Sequence, residues 1–191
     1  MHYRGITFAL QRNEFLCWEA CARMLFLWKF GKVAIGEYQK RARPEIESNI
    51  GLNSRRLEMF YGGVLGMSRF PPSIAIRMSP FIWTKKAVRG MGHAMLVAGQ
   101  ESSTRGQGDF INFDPFGAMV FQADEKNNSR PGVNINATLT MATNESLKQH
   151  LRHYSVRLLT SDSETAYVWC YKVATKLSDL PPYDPNRKLA F

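Results

Sequence analysis

The chain has 191 residues, 45% of them hydrophobic, and a formal net charge of +9. A chain of this length and apolar content can bury one well-packed core, so we expect a single domain over residues 1–191. The N-terminus lacks the apolar run of a secretory signal, and the most apolar block, MLFLWKF, is interrupted by Lys29 and too short to span a bilayer. We therefore expect a soluble protein with no membrane partner.

The positive charge limits the class of partner. Basic residues occur as scattered doublets, and only Lys40 to Arg43, KRAR, forms a denser cluster. A nucleic-acid binder concentrates such residues on one face or in a recognisable module, so direct nucleic-acid binding is not expected. The charge instead favours acidic partners and solubility.

The cysteines indicate a reducing compartment. The chain has three, Cys17, Cys21 and Cys170, so they cannot all pair. Cys17 and Cys21 would lie one helical turn apart, which is poor geometry for a disulfide. The cysteines and histidines also lack metal-ligand spacing, so no metal is expected.

A buried helix is predicted where the polar lead-in QRNEFL gives way to an apolar run. Residues Cys17 to Phe30 carry apolar side chains on several faces, as a helix surrounded by protein does. Gly31 is a suitable C-cap. Cys17 therefore lies at the junction between a loop and a central helix.

The rest of the first third is also predicted to be helical, which gives a helical part over about residues 11–70. A weaker pattern runs from Ile35 to Arg43 and is expected to stop at Pro44. Helix resumes after Asn53, a good N-cap, and continues to the Gly62-Gly63 pair.

Strand patterns dominate a sheet part over about residues 71–175, before a loose tail at about 176–191. One helix is predicted within it, near Glu145 to His153. Helices followed by an antiparallel sheet indicate an α+β domain. The predicted strands are Ser73–Met78, His93–Gln100, a run from Asp109, and the segments AMVFQA, SVRLLT and AYVWCYKV.

Cys17 is the candidate nucleophile. Thiol catalysis needs a stabilised thiolate, a base that can return a proton, and donors for the oxyanion of the tetrahedral intermediate. The start of a helix supplies free N–H groups and the positive end of the helix dipole. A buried structural thiol is the alternative for Cys17 considered alone.

Three further positions complete a catalytic set. Of four histidines, His93 stands out because it opens an apolar strand directly after Gly92. The imidazole needs an orienting acceptor, and either Asp114, which ends the next strand run, or the nearby Asp109 could supply it. Gln11, upstream in the lead-in loop, could donate the second oxyanion hydrogen bond.

These residues, in this chain order, resemble the papain-like cysteine peptidases. The resemblance is closest to the compact bacterial branch, which includes the leader-peptide peptidase domains of bacteriocin exporters and injected papain-fold effector proteases. It extends from Gln11 to about Gly117. It implies a papain-like fold and no cofactor, with Cys17 as nucleophile, His93 as general acid/base, Asp114 as orienting residue and Gln11 as oxyanion donor.

The resemblance also implies a substrate and a biological setting. The cleft would be narrow and accept small residues, including a Gly-Gly pair, with Trp18, Trp83 and Gly92 as substrate-binding residues; for Trp83 a core role is equally open. An effector would be made in the producer cytoplasm and delivered without a signal peptide to cleave a target-cell protein. Only sixteen residues precede Cys17, so a separate immunity protein would take the place of an inhibitory pro-segment.

The chain departs from the plant-type papains in two respects. Those enzymes have Asn as the third catalytic residue, and the interval between their Cys and His is longer than in this chain.

Two functions other than a peptidase are also open. Glutamine deamidases, transglutaminases and peptidoglycan amidases use Cys, His and an acidic residue in this order. The other alternative is a papain scaffold that has lost activity and binds an acidic partner through its basic surface.

Overall fold

The computed structural model describes residues 5–7, 9, 11–12, 15–48, 53–70, 80–85, 93–100, 109–113, 115, 151–155 and 168–184. For residues 54, 85, 93, 99–100, 109–112 and 151–155 it describes the backbone alone. The predicted strand Ser73–Met78 and the segment AMVFQA lie outside the described residues.

The central helix α1 spans Cys17–Phe30, as predicted. It begins at the cysteine itself, and most of its first ten side chains are buried. Gly31 ends it with a φ of 85°, a left-handed backbone conformation that glycine adopts without strain, and its N–H donates to the Leu27 carbonyl at 2.9 Å. One turn of 3-10 helix, Lys32–Ala34, then leads to the second helix.

Helix α2 spans Ile35–Ser48, so the prediction that it stops at Pro44 is wrong. Proline removes one backbone hydrogen bond, but side chains on both sides of it anchor the helix. Arg41 donates to two backbone carbonyls outside the helix, at 3.0 and 2.7 Å. Glu45 pairs with the buried Arg56 at 3.0 Å. These tertiary contacts outweigh the local cost of the proline.

Helix α3 spans Ser54–Glu58 and confirms the predicted start. The Asn53 side chain caps it by accepting from the Arg56 N–H at 2.9 Å. The chain continues without a break into a turn of π-helix, Met59–Val64, which contains the glycine pair. The helical part therefore forms in the described residues much as its capping residues indicate.

Among the described residues, six strands form one antiparallel sheet, which confirms the α+β class. Their spatial order is β1-β6-β2-β3-β4-β5. Strands β3, β4 and β6 lie within predicted runs, whereas β1 and β2 were not predicted. The strands are β1 Ser68–Phe70, β2 Phe81–Lys85, β3 His93–Gln100, β4 Asp109–Phe113, β5 Leu151–Ser155 and β6 Val168–Cys170.

Strand β5 corrects the helix predicted near Glu145 to His153. Residues Leu151–His153 are strand, paired with Phe113, Asn112 and Ile111 of β4, while residues 145–150 lie outside the described residues. Pairing with a neighbouring strand satisfies the backbone donors and acceptors that a helix would otherwise satisfy internally. Long-range pairing has therefore overridden local helix propensity.

The two faces of the sheet carry separate apolar clusters. Helix α1 packs on β3, and its buried side chains form the first cluster with Ile82, Ala94, Leu96 and Phe113. The alternate residues of the same strands form the second cluster, as the two-residue period of a strand requires. Its members are Phe81, Trp83, Met95, Val97, Val168 and Cys170. Within the described part of the chain, no helix is long and apolar enough to cross a membrane.

Candidate active site

Cys17 is the first residue of α1, so the backbone N–H groups of this first turn have no preceding helical turn to supply acceptors. The first bond of the helical ladder runs from the Ala20 N–H to the Leu16 carbonyl at 3.1 Å. The N–H groups of residues 17–19 therefore have no acceptor within the helix. Leu16, at the N-cap, makes no side-chain cap. These groups and the helix dipole favour negative charge at this position.

Cys17 shares a buried cluster with residues of β3 and β4. It is 6% exposed, and its cluster includes Ala94 and Phe113. Ala94 follows His93 in the sequence, and Phe113 precedes Asp114. The fold therefore places Cys17 in one cluster with the chain neighbours of both predicted partners.

The pairing of β3 with β4 sets the arrangement of the chain near His93 relative to the chain that leads to Asp114. His93 is the first residue of β3, and its backbone is paired with Lys85. Leu96, three residues further along β3, is opposite Phe113 at the end of β4. Because the strands are antiparallel, the end of β4 is directed towards the start of β3. Asp114 and Gly92 themselves lie outside the described residues.

Gln11 is tied to the end of β4. Its backbone N–H donates to the carbonyl of Pro115 at 3.2 Å, and Pro115 is itself buried. The Gln11 residue is only 1% exposed, although glutamine is a residue type that is mostly exposed. One hydrogen bond therefore links the predicted oxyanion loop to the residue that follows Asp114.

The two tryptophans proposed for substrate binding occupy different places. Trp18 packs edge-to-face on Phe60, with ring centroids 5.0 Å apart, and its carbonyl accepts from the Tyr61 hydroxyl at 3.0 Å. Trp83 is 3% exposed and belongs to the second cluster, which does not include Cys17. Trp18 therefore packs next to Cys17 in the first cluster, whereas Trp83 has a packing position on the other face of the sheet.

A buried polar network beside Cys17 was missed at the sequence level. Glu19 is fully buried, and its carboxylate lies 3.4 Å from Arg23. The Tyr38 hydroxyl donates to the Glu19 carbonyl at 3.0 Å and to its carboxylate at 3.3 Å. Burial raises the pKa of Glu19, and the nearby Arg23 and Arg12 partly oppose this. The available signal was a Glu-Arg pair four residues apart in an otherwise apolar helix.

Two further buried groups bear on the chemistry. Cys21 is a fully buried core residue, and burial raises the pKa of the Cys170 thiol to about 11. A thiol in such surroundings is a poor nucleophile at neutral pH, because the thiolate is the reactive form.

Among the described residues, no three His, Cys, Asp or Glu side chains are grouped as metal ligands.

Comparison with known proteins assigns no family to the chain. No protein-family model matches the sequence, and no curated protein matches it either. What the protein does must therefore be inferred from the geometry around Cys17 and from the residues that the sequence places next to it.

Proposed function

We propose that this protein is a papain-like cysteine peptidase with Cys17 as nucleophile, His93 as general acid/base, Asp114 as orienting residue and Gln11 as oxyanion donor. The observation that carries the proposal is the 3.2 Å bond from the Gln11 N–H to the Pro115 carbonyl. It supports the proposal because it joins the loop before Cys17 to the segment after the predicted orienting residue. The proposed roles of Gln11 and Asp114, which act on the same reacting thiol and carbonyl, need those two segments to lie close together.

The proposed reaction uses each residue in turn. The Cys17 thiolate attacks the scissile carbonyl carbon, and the carbonyl electrons move to the oxygen, which Gln11 and a backbone N–H at the start of α1 stabilise. When the C–N bond breaks, His93 gives its proton to the departing amine and an acyl-thioester remains. His93 then accepts a proton from water, whose oxygen attacks the thioester carbonyl carbon; the C–S bond breaks, the acid product leaves, and the Cys17 thiolate and protonated His93 are restored.

The substrate and the biological role belong to the same proposal. Small residues around the scissile bond, including a Gly-Gly pair, would suit the narrow cleft that the papain resemblance implies. The protein substrate would lie in the cytoplasm of a target cell into which the chain is delivered. A cognate immunity protein that covers the cleft would restrain the enzyme in the producer.

Intact-mass spectrometry tests the reaction. We expect the purified protein to cut peptides that contain a Gly-Gly pair into two fragments, with one water added across the bond. The Cys17→Ala variant should yield no fragments, and Cys170→Ala should cut normally.

Two other results would replace the proposal. A gain of one dalton on an uncut, glutamine-containing peptide would indicate deamidation by the same thiol. No change in any peptide, together with a Cys17 that reacts with iodoacetamide no faster than an ordinary thiol, would indicate an inactive binding scaffold.

A further inference from the structure

An open pocket of about 590 Å³ lies between the first half of α1 and the middle of α2. The loop residue Arg12 and the C-terminal residue Tyr183 also line it. A pocket of this volume is within the range that holds a small organic molecule. The polar side chains that matter for its chemistry are Arg12, Glu19, Arg23, Lys40, Arg43 and Glu47.

The lining carries an excess of positive charge. Four of these side chains are cations and two are carboxylates. Each carboxylate is paired with an arginine on its own helix, Glu19 with Arg23 at 3.4 Å and Glu47 with Arg43 at 2.6 Å. The pocket therefore presents a net positive field, which concentrates anions.

The donors at the rim suit a phosphate group. Arg43 binds Glu47 through Nε, and a guanidinium carries further N–H donors on its terminal nitrogens. Its side chain is 76% exposed, so a ligand can reach those donors. Arginine recognises phosphate through two parallel hydrogen bonds, and a lysine beside it adds a point charge.

The aromatic ring of Tyr183 lies next to one of these cations. The Lys40 ammonium lies 4.7 Å from the centre of the Tyr183 ring. Ile46 adds an aliphatic surface to the same lining. A ligand that fits the whole pocket therefore has an anionic head and a flat or apolar body.

From this charge and shape, we propose that the pocket binds a small phosphorylated molecule with an aromatic body, of the nucleotide class, with its phosphate held by Arg12, Lys40 and Arg43. Phosphate matches the site better than a carboxylate does, because it brings up to two negative charges on one group to a pocket lined by three such cations. The aromatic body would lie against Tyr183, and the Lys40 ammonium would leave the Tyr183 ring to bind the phosphate. Free carboxylates or an acidic peptide would satisfy the charge but not the ring.

The pocket is also coupled to the candidate active site through the chain. Arg12 directly follows Gln11, and Glu19 lies two residues after Cys17. A phosphate that contacts both Arg12 and the cations of α2 would hold the loop that contains Gln11 close to α2. This consequence rests on the proposed peptidase function, whereas the binding itself does not.

Titration calorimetry with AMP as the probe tests the binding without any substrate. We expect saturable 1:1 binding of AMP, weaker binding of inorganic phosphate, which lacks the ring, and no binding of glutamate. Arg43→Gln should weaken AMP binding about tenfold, as expected for the loss of one charge-assisted contact. Glu47→Gln breaks the same ion pair but removes a negative charge, so it should leave AMP binding unchanged or tighten it.

Two further variants make the outcome decisive. Arg55→Gln, an exposed arginine on α3 that does not line the pocket, should leave AMP binding unchanged. Absence of AMP binding at millimolar concentration, equal weakening by Arg43→Gln and Arg55→Gln, or tighter binding of glutamate than of AMP would each overturn the proposal. AMP binding with no peptide cleavage would keep this site and remove only the peptidase assignment.

Discussion

Two regions of the molecule each bury a cysteine, and they differ in what surrounds it. Cys170 lies in the second cluster, where every other member is an apolar side chain, and it is fully buried. Cys17 lies at the start of α1, where Gln11 and Glu19 are buried with it and the Tyr38 hydroxyl donates to Glu19.

We infer from this difference that the start of α1 does more than pack. Burying a polar group costs free energy unless it gains a hydrogen bond, so apolar side chains are the less costly choice for a core. The second cluster follows that choice, and burial raises the pKa of its thiol to about 11. The start of α1 departs from it at two buried positions, Gln11 and Glu19, and such departures are expected at functional sites.

The largest effect should come from exchanging the two thiols for alanine. Cys17→Ala should lower kcat by roughly three orders of magnitude or more, since removing a catalytic nucleophile leaves only substrate binding and oxyanion stabilisation. Cys170→Ala should change kcat little and lower stability instead. Peptide cleavage followed by mass spectrometry measures the first, and urea unfolding the second. Equal activity of the two variants would remove the distinction between the regions.

Replacing Trp83 tests the packing role of the second cluster. Trp83→Ala should lower the free energy of unfolding by about 3 to 5 kcal/mol, the range for truncating a large buried aromatic side chain. The protein that remains folded should cut peptides with an unchanged KM. Chemical denaturation and steady-state kinetics on the same preparation measure both. A raised KM with little loss of stability would instead place Trp83 in the substrate cleft.

Gln11→Ala tests the polar side of the comparison. It should lower kcat by about a hundredfold with little change in KM, because oxyanion donors act mainly in the transition state. The backbone bond from residue 11 to Pro115 remains possible in the variant. Val33→Ala, at a 95% exposed position, is the control for an unspecific loss. A Gln11→Ala enzyme as active as this control would exclude the assigned role.

The smallest effect concerns Glu19 and pH. Burial raises the pKa of Glu19 in the folded state above its ordinary value of 4.5, so between those two pKa values the folded chain binds more protons than the unfolded chain. Its contribution to stability therefore falls as pH rises through this window, by about 1.4 kcal/mol for each pH unit.

Glu19→Gln removes this titration and serves as the test. The variant should show a flatter stability profile than the parent above pH 4.5, as measured by thermal unfolding across pH. An identical fall in both proteins would show that Glu19 is not responsible.

The sequence predicted those parts of the fold that local chemistry determines. The polar-to-apolar junction at Cys17, the glycine after Phe30 and the Asn53 cap each act within a few residues, and each marks a helix end in the structure. Helix α2 through Pro44 and strand β5 were predicted wrongly. In both, distant partners decide the outcome: the Glu45–Arg56 ion pair and the Arg41 hydrogen bonds to backbone carbonyls for the helix, and pairing with β4 for the strand.

The candidate site was predictable to a similar extent. Cys17 could be found because a helix start is a local feature. The burial of Glu19 against Tyr38 could not, because it joins residues on two helices whose packing no local pattern specifies. The catalytic roles of Cys17, His93, Asp114 and Gln11 remain predictions.

The rate of thiol alkylation tests the central claim most directly. Iodoacetamide is added near neutral pH, and peptide mapping by mass spectrometry follows the three cysteines separately. We expect Cys17 to react first and faster than free glutathione, with Cys170 essentially unmodified in the folded protein. A Cys17 that reacts as slowly as Cys170 would contradict it, since the start of α1 would then hold only another structural thiol.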